Sequence, residues 1–114
     1  MWIGGSFSKY SGSIAHKIAK INPTTGKLID WGSSNFVDTT NSIRTINKIN
    51  DDYILVGGYF NVPFNAENVS LKKIVLLDST GVVVQNNVSG KNLIEDGAVL
   101  TSLKLDNDNV IIGG

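Results

Sequence analysis

The chain has 114 residues, carries ten Lys+Arg against ten Asp+Glu, and contains no cysteine. Balanced charge removes the electrostatic footprint of a nucleic-acid binder, and the missing cysteines exclude a disulfide framework or a thiolate site. No apolar run is long enough to span a bilayer as a helix, so membrane insertion of that kind is not expected.

The first predicted strand covers residues 2–5, an apolar run that closes on the pair Gly4-Gly5. Residues 16–22 form the second and enter Asn22-Pro23-Thr24-Thr25-Gly26. Pro fixes φ early in that turn, and Gly supplies a left-handed φ near its end. Residues 27–31 and 42–49 complete a first set of four, and Asn50-Asp51-Asp52 suits a tight hairpin turn. The run Ile54-Leu55-Val56-Gly57-Gly58 opens a second set, followed by residues 71–78, 82–85 and 98–105. Within it, Asp78-Ser79-Thr80-Gly81 places a carboxylate where it can hold the turn backbone. Asp106-Asn107-Asp108-Asn109 then leads into Val110-Ile111-Ile112-Gly113-Gly114. Val, Ile and Leu fill the strands, and Gly, Asn, Asp, Ser and Pro separate them. No stretch keeps a helical period.

The Gly pair therefore occurs three times, with Gly57 lying 53 residues after Gly4 and Gly113 lying 56 residues after Gly57. Ile18 to Gly26 aligns with Ile74 to Gly81 with one residue deleted, and residues 43–56 align with 99–112 at a constant offset of 56. A period of this size marks an array of repeated units. The units run over 1–53 and 54–109, with the start of a third at 110–114. The Gly-pair strand occurs once more than the fourth strand of the unit. That excess predicts a slice of a longer polypeptide rather than a two-unit piece that closes a ring by itself.

Ile54-Leu55-Val56, Ile74-Val75-Leu76-Leu77, Val82-Val83-Val84 and Val110-Ile111-Ile112 do not alternate apolar with polar. Successive side chains point to opposite faces, so these strands are apolar on both. Hairpin-linked strands with no helices to cover them then need sheet packed against each face. Small four-stranded sheets stacked face to face around an axis make a β-propeller. The expected fold is all-β, a propeller segment of about two four-stranded antiparallel blades that belongs to a larger propeller. The Gly pairs are expected where close strand packing leaves no room for a β-carbon. A phosphate loop would need a helix start instead, which Ser6-Phe7-Ser8-Lys9 and Tyr59-Phe60-Asn61-Val62 do not provide.

Ile54-Leu55-Val56-Gly57-Gly58-Tyr59-Phe60 resembles the delta-sixty repeat, a β-propeller repeat of bacterial and phage proteins. Ile18-Ala19-Lys20-Ile21-Asn22-Pro23-Thr24-Thr25-Gly26-Lys27-Leu28 resembles it too. Asp30-Trp31-Gly32-Ser33-Ser34-Asn35-Phe36, Ile43-Arg44-Thr45-Ile46 and Asp51-Asp52-Tyr53 follow the same family's order, so the resemblance covers nearly the whole chain. Kelch repeats are similar in the Gly pair and in a Trp after a turn, which Trp31 matches. The second unit has Val84-Gln85-Asn86 there and departs from kelch. The resemblance implies no catalytic residue. It implies a non-enzymatic scaffold or adhesion and interaction platform, in a phage virion (tail or fibre) or a bacterial surface protein. The implied location is extracellular, at a cell surface or in a virion. Partners would be other blades of the same longer chain, neighbouring subunits, or a surface glycan or receptor. A lectin-like carbohydrate-binding propeller and a non-catalytic part of a propeller hydrolase are the alternative readings. Fold alone does not choose among them.

Single residues add little chemistry. His16 is the only histidine and has no Cys or second His to share a metal or a nucleophile, so no metal or cofactor site is expected. Asp106-Asn107-Asp108-Asn109 begins like a calcium loop but lacks the central Gly and distal Glu, and reads as turn chemistry. Glu67, Glu95 and Asp96 read as solvated loop charges, with no sign of a general acid–base pair. Trp2, Tyr10, Trp31, Tyr59 and Phe60 read as plugs between sheets, with a sugar-binding surface as the alternative. The links at 8–15 and 61–70 follow the Gly-pair strands and are expected on one rim, where loops carry recognition. The residues expected to touch a ligand or partner are Tyr10, Trp31, Phe64 and Asn65.

Overall fold

A computed structural model describes residues 1–30, 42–64, 69–84 and 97–114, with the backbone alone described at 61–64 and 69–72. In chain order the strands are β1 (Trp2–Gly4), β2 (Lys9–Tyr10), β3 (Ser13–Ile14), β4 (Ile18–Ile21), β5 (Leu28–Ile29), β6 (Ser42–Lys48), β7 (Tyr53–Phe64), β8 (Val69–Asp78), β9 (Thr101–Lys104) and β10 (Val110–Gly113). The described helical element is one 3-10 turn, Asp106–Asp108. The fold is all-β, built from several antiparallel sheets.

The first sheet has the order β1-β4-β5, the middle sheet β6-β7-β8 and the third sheet β9-β10, with β2 and β3 pairing as a separate hairpin. The middle sheet thus joins the last strand of one sequence unit to the first two of the next, with Ile46 opposite Val56 and Val56 opposite Val75. The third sheet does the same, with Leu103 opposite Ile111. The described sheets remain open.

The three sheets stack, and the middle one is covered on both faces. Ile54, Val56, Val75 and Leu77 pack towards the first sheet with Ile18, Ile43 and Phe60, and Trp2, Ile46 and Val83 close the cluster. Leu55 and Ile74, on the opposite pleat, pack with Ile49 and Val99, with Leu76 and Val110 beside them. The runs Ile54-Leu55-Val56 and Ile74-Val75-Leu76-Leu77 therefore serve two cores, as expected, whereas Val82, Ile111 and Ile112 in the other two runs are exposed. Burying one such side chain stabilises by about 1.5–3 kcal/mol, and Val56, Val75 and Leu77 are completely buried. A third cluster, Ala15, Ala19 and Ile21 with Ile3, Phe7, Tyr10 and Leu28, lies on the far face of the first sheet.

The turns follow their side chains. Asn22 Oδ1 accepts from the amides of Thr24 at 2.9 Å and Thr25 at 3.2 Å. Asp78 Oδ1 accepts from the Thr80 amide at 2.8 Å, the Thr80 hydroxyl at 2.6 Å and the Val82 amide at 3.0 Å. Gly26 and Gly81 take φ of 69° and 93°, the left-handed values their turns require.

Three expectations change. Residues 61–70 were expected as a loop on the rim. Instead β7 and β8 continue their ladder over 61–64 and 69–72, from Asn61 opposite Lys72 to Phe64 opposite Val69. Val62 and Phe64, and Val69 and Leu71, alternate with polar residues or Pro, which is the pattern of a strand. The link at 8–15 contains β2 and β3 and lies back over the first sheet: the Tyr10 hydroxyl donates to the Gly26 carbonyl at 2.7 Å. The strand expected at 82–85 is reduced, over the described residues, to one bridge between Leu77 and Val83. Two backbone bonds support it, Asp78 to Val82 and Val84 to Leu76.

Candidate functional site

Of the four residues expected to touch a ligand, Tyr10 has its ring in the cluster on the first sheet and its hydroxyl engaged by Gly26. Phe64 ends β7, and Val69 is its backbone partner. Trp31 and Asn65 lie outside the described residues, as do Glu67, Glu95 and Asp96. His16 is half-buried just before β4. Among the described residues no three His, Cys, Asp or Glu side chains group closely enough to hold a metal ion.

The Gly pairs mark the joints between sheets. A β-carbon on Gly4 would stand 2.5 Å from Ile43 Cγ2, and one on Gly57 would stand 2.7 Å from Val99 Cγ1. A β-carbon on Gly58 would meet the Ser42 carbonyl oxygen, and one on Gly114 the Ala98 carbonyl oxygen. Across these joints the Ile43 amide donates to the Gly5 carbonyl at 3.0 Å and the Val99 amide to the Gly58 carbonyl at 3.2 Å. Side chains add to the second joint. Thr45 and Ser102 share a hydroxyl hydrogen bond of 2.6 Å, and Asn47 Nδ2 donates to the Ser102 carbonyl at 2.9 Å.

At the Gly-pair end of the stack, Ser6, Lys17, Ser42, Arg44, Tyr59, Ala98 and Leu100 line a cleft of about 500 Å³. Lys17 and Arg44 are the cations of its lining, and Lys73 stands beside it against Tyr59. Lys17 and Lys73 occupy equivalent positions 56 residues apart, and both hold a left-handed backbone, with φ of 69° and 67°. That conformation costs a side-chain-bearing residue roughly 1–2 kcal/mol. Lys73 sits where the β7–β8 ladder is interrupted, between the pairs Gly57–Ile74 and Asn61–Lys72. Bulges of this sort re-aim side chains. The Lys17 ammonium donates to the Ser6 carbonyl at 2.9 Å. Lys73 is buried, with its ammonium 4.0 Å from the centre of the Tyr59 ring. Cation–π attraction offsets part of the desolvation of such a charge. Arg44 is exposed, at the irregularity between Ile43 and Thr45. No described carboxylate lines this cleft.

The opposite end differs. Met1, Trp2, Ile46, Lys48, Asn50, Asp51, Ile54 and Ser79 line a cleft of about 420 Å³ there. Its charges pair off: Lys48 Nζ lies 2.6 Å from Asp51 Oδ1. The hydrogen bond from Lys48, and then its charge, hold the Asp51 carboxyl below the usual range. Lys20 reaches across to the Ser79 carbonyl at 2.9 Å and lies 5.4 Å from the centre of the Trp2 ring. Asn50 Nδ2 donates to Asp108 at 2.9 Å, linking the two hairpin turns, and Asn107 and Asp108 take left-handed φ. These contacts are those of a structural end, and Asp106 to Asn109 form a turn there.

Sequence reasoning missed Lys17, Arg44 and Lys73. A signal was present for the lysines, since each immediately precedes the aligned pair Ile18 and Ile74. Nothing in the sequence marks their backbone conformation. Compared with known proteins, the chain matches no family model, no curated protein and no solved structure.

Proposed function

We propose that the chain is a non-enzymatic β-propeller repeat module that serves as a structural scaffold and interaction platform. The observation that carries this reading is the recurrence of one joint, Ile43 on Gly5 and Val99 on Gly58, between successive sheets. A joint repeated at a fixed sequence period is how stacked arrays propagate. Leu103 and Ile111, paired on β9 and β10, are 61% and 56% exposed, an apolar pair suited to a further sheet. The delta-sixty resemblance supports a place in a phage tail or fibre or a bacterial surface protein. The test is to join two, three and four copies of the chain in tandem and measure their shape by small-angle scattering and electron microscopy. The propeller reading expects a closed ring at one copy number. A rod that lengthens with every added copy overturns it.

A further inference from the structure

We infer that the cleft at the Gly-pair end binds an anionic saccharide, with Arg44 and Lys17 pairing its carboxylate or sulfate group and Tyr59 stacking on its ring. This goes beyond the scaffold reading and stands whether or not the sheets close into a ring. Three observations converge on the same cleft. Its lining carries two cations and no described carboxylate. The guanidinium of Arg44 is exposed, and its planar fork matches a carboxylate or sulfate. Tyr59 is 50% exposed, so its ring offers an apolar platform with a polar tip. Lys73 lies over that ring and adds positive potential behind the platform. Ser6, exposed in the lining, adds a hydroxyl-bearing residue suited to a polyhydroxylated ligand. A neutral sugar would leave the cations unanswered, and a bare oxyanion would leave the tyrosine ring unused.

The backbone supports the assignment. Lys17 and Lys73 hold a disfavoured backbone at equivalent positions, and their ammonium groups reach the Ser6 carbonyl and the Tyr59 ring at this end. Local strain of this kind gathers at binding sites. The cleft at the other end, with its internal ion pair, offers no comparable unpaired charge among the described residues.

The experiment is calorimetric titration of the chain with a chondroitin sulfate tetrasaccharide, an oligogalacturonate, a desulfated and carboxyl-reduced tetrasaccharide, and sodium sulfate. At least one acidic oligosaccharide should bind, more weakly as salt is added, and at least tenfold more tightly than the reduced tetrasaccharide or sulfate alone. Arg44→Gln and Tyr59→Ser should each weaken that binding tenfold or more. Arg44→Gln should keep thermal unfolding within a few degrees of the parent, and Tyr59→Ser should lower it because the ring also covers Lys73. Tyr59→Phe, which keeps the ring, should retain both stability and binding. Lys104→Gln, remote from the cleft on β9, should leave it unchanged. Failure of both acidic oligosaccharides to bind overturns the inference. So does equal binding of the reduced tetrasaccharide, sulfate alone binding as tightly as the oligosaccharides, or indifference to Arg44→Gln.

Discussion

Val99 and Gly58 are joined across two sheets: the Val99 amide donates to the Gly58 carbonyl at 3.2 Å, while within the middle sheet the Ser42 carbonyl of the paired β6 leaves Gly58 no room for a side chain. Ile43 and Gly5 repeat the bond at 3.0 Å. The second glycines of the two pairs differ, however, in what surrounds them. Among the described residues, a β-carbon on Gly5 would meet the Phe7 ring alone, at 3.2 Å.

Gly58→Ala and Gly5→Ala should therefore separate. At Gly58 the obstacle is backbone, which cannot rotate away, and overpacking of this kind costs about 3 kcal/mol. At Gly5 the obstacle is a side chain that can shift, and the cost should stay below about 1 kcal/mol. Urea unfolding of the two variants beside the parent measures the difference. Equal midpoints would show that β6 yields at Ser42 without cost.

The interior of the stack and its exposed third sheet should respond differently to polar or smaller substitutions. Leu77 is completely buried between the first and middle sheets, and Leu77→Ala should destabilise by about 2–4 kcal/mol. Ile111 is 56% exposed, and Ile111→Thr should leave stability within about 0.5 kcal/mol while reducing self-association. Thermal unfolding and sedimentation velocity on the same samples read both effects.

The double-sided packing was legible because Leu55 and Val56, adjacent in sequence, must face opposite ways on a strand, and they enter different cores. The turns were legible because Asn22 and Asp78 carry the acceptor that the turn needs. Pairing was less so. Periodicity places Ser42 to Lys48 on a strand but does not say that its partner is the Gly-pair strand of the next unit. The extension of β7 was obscured by Pro63 and Asn61, residues that usually end strands. Lys17 and Lys73 were invisible as a pair of strained residues, because left-handed φ at a lysine comes from the surrounding ladder and not from the lysine.

Asp78 should give the stack an acid-sensitive turn. Partial burial pushes its carboxyl up, but bonds from the Thr80 hydroxyl and from the Val82, Thr80 and Gly81 amides outweigh that and hold it below its ordinary range. The folded chain then binds this proton less readily than the unfolded chain. Its contribution is complete above the unfolded value, about 3.9, and is lost as pH falls through the lower folded value. Asp78→Ala should cost about 1–2 kcal/mol at neutral pH and should flatten the fall in stability below about pH 4. Chemical denaturation from pH 7 to pH 2.5 checks this, and an unchanged acid limb in the variant would count against the turn.

Lys17→Gly sets stability against binding at one residue. Glycine occupies a left-handed φ without the clash that a β-carbon brings, and Lys17 holds φ of 69°. Relief of that strain is worth roughly 1–2 kcal/mol, and the freer unfolded chain takes back about 0.4–1 kcal/mol. The bond from the Lys17 ammonium to the Ser6 carbonyl is exposed and adds little to offset the change. The variant should therefore gain about 0.5–1 kcal/mol in urea unfolding, while its affinity for an acidic oligosaccharide drops severalfold. Lys17→Ala retains the strain and removes the charge, so it should lose affinity without gaining stability. A stability gain with undiminished affinity would remove Lys17 from the anion's partners, and a loss of both would show that its aliphatic stem packs in the fold.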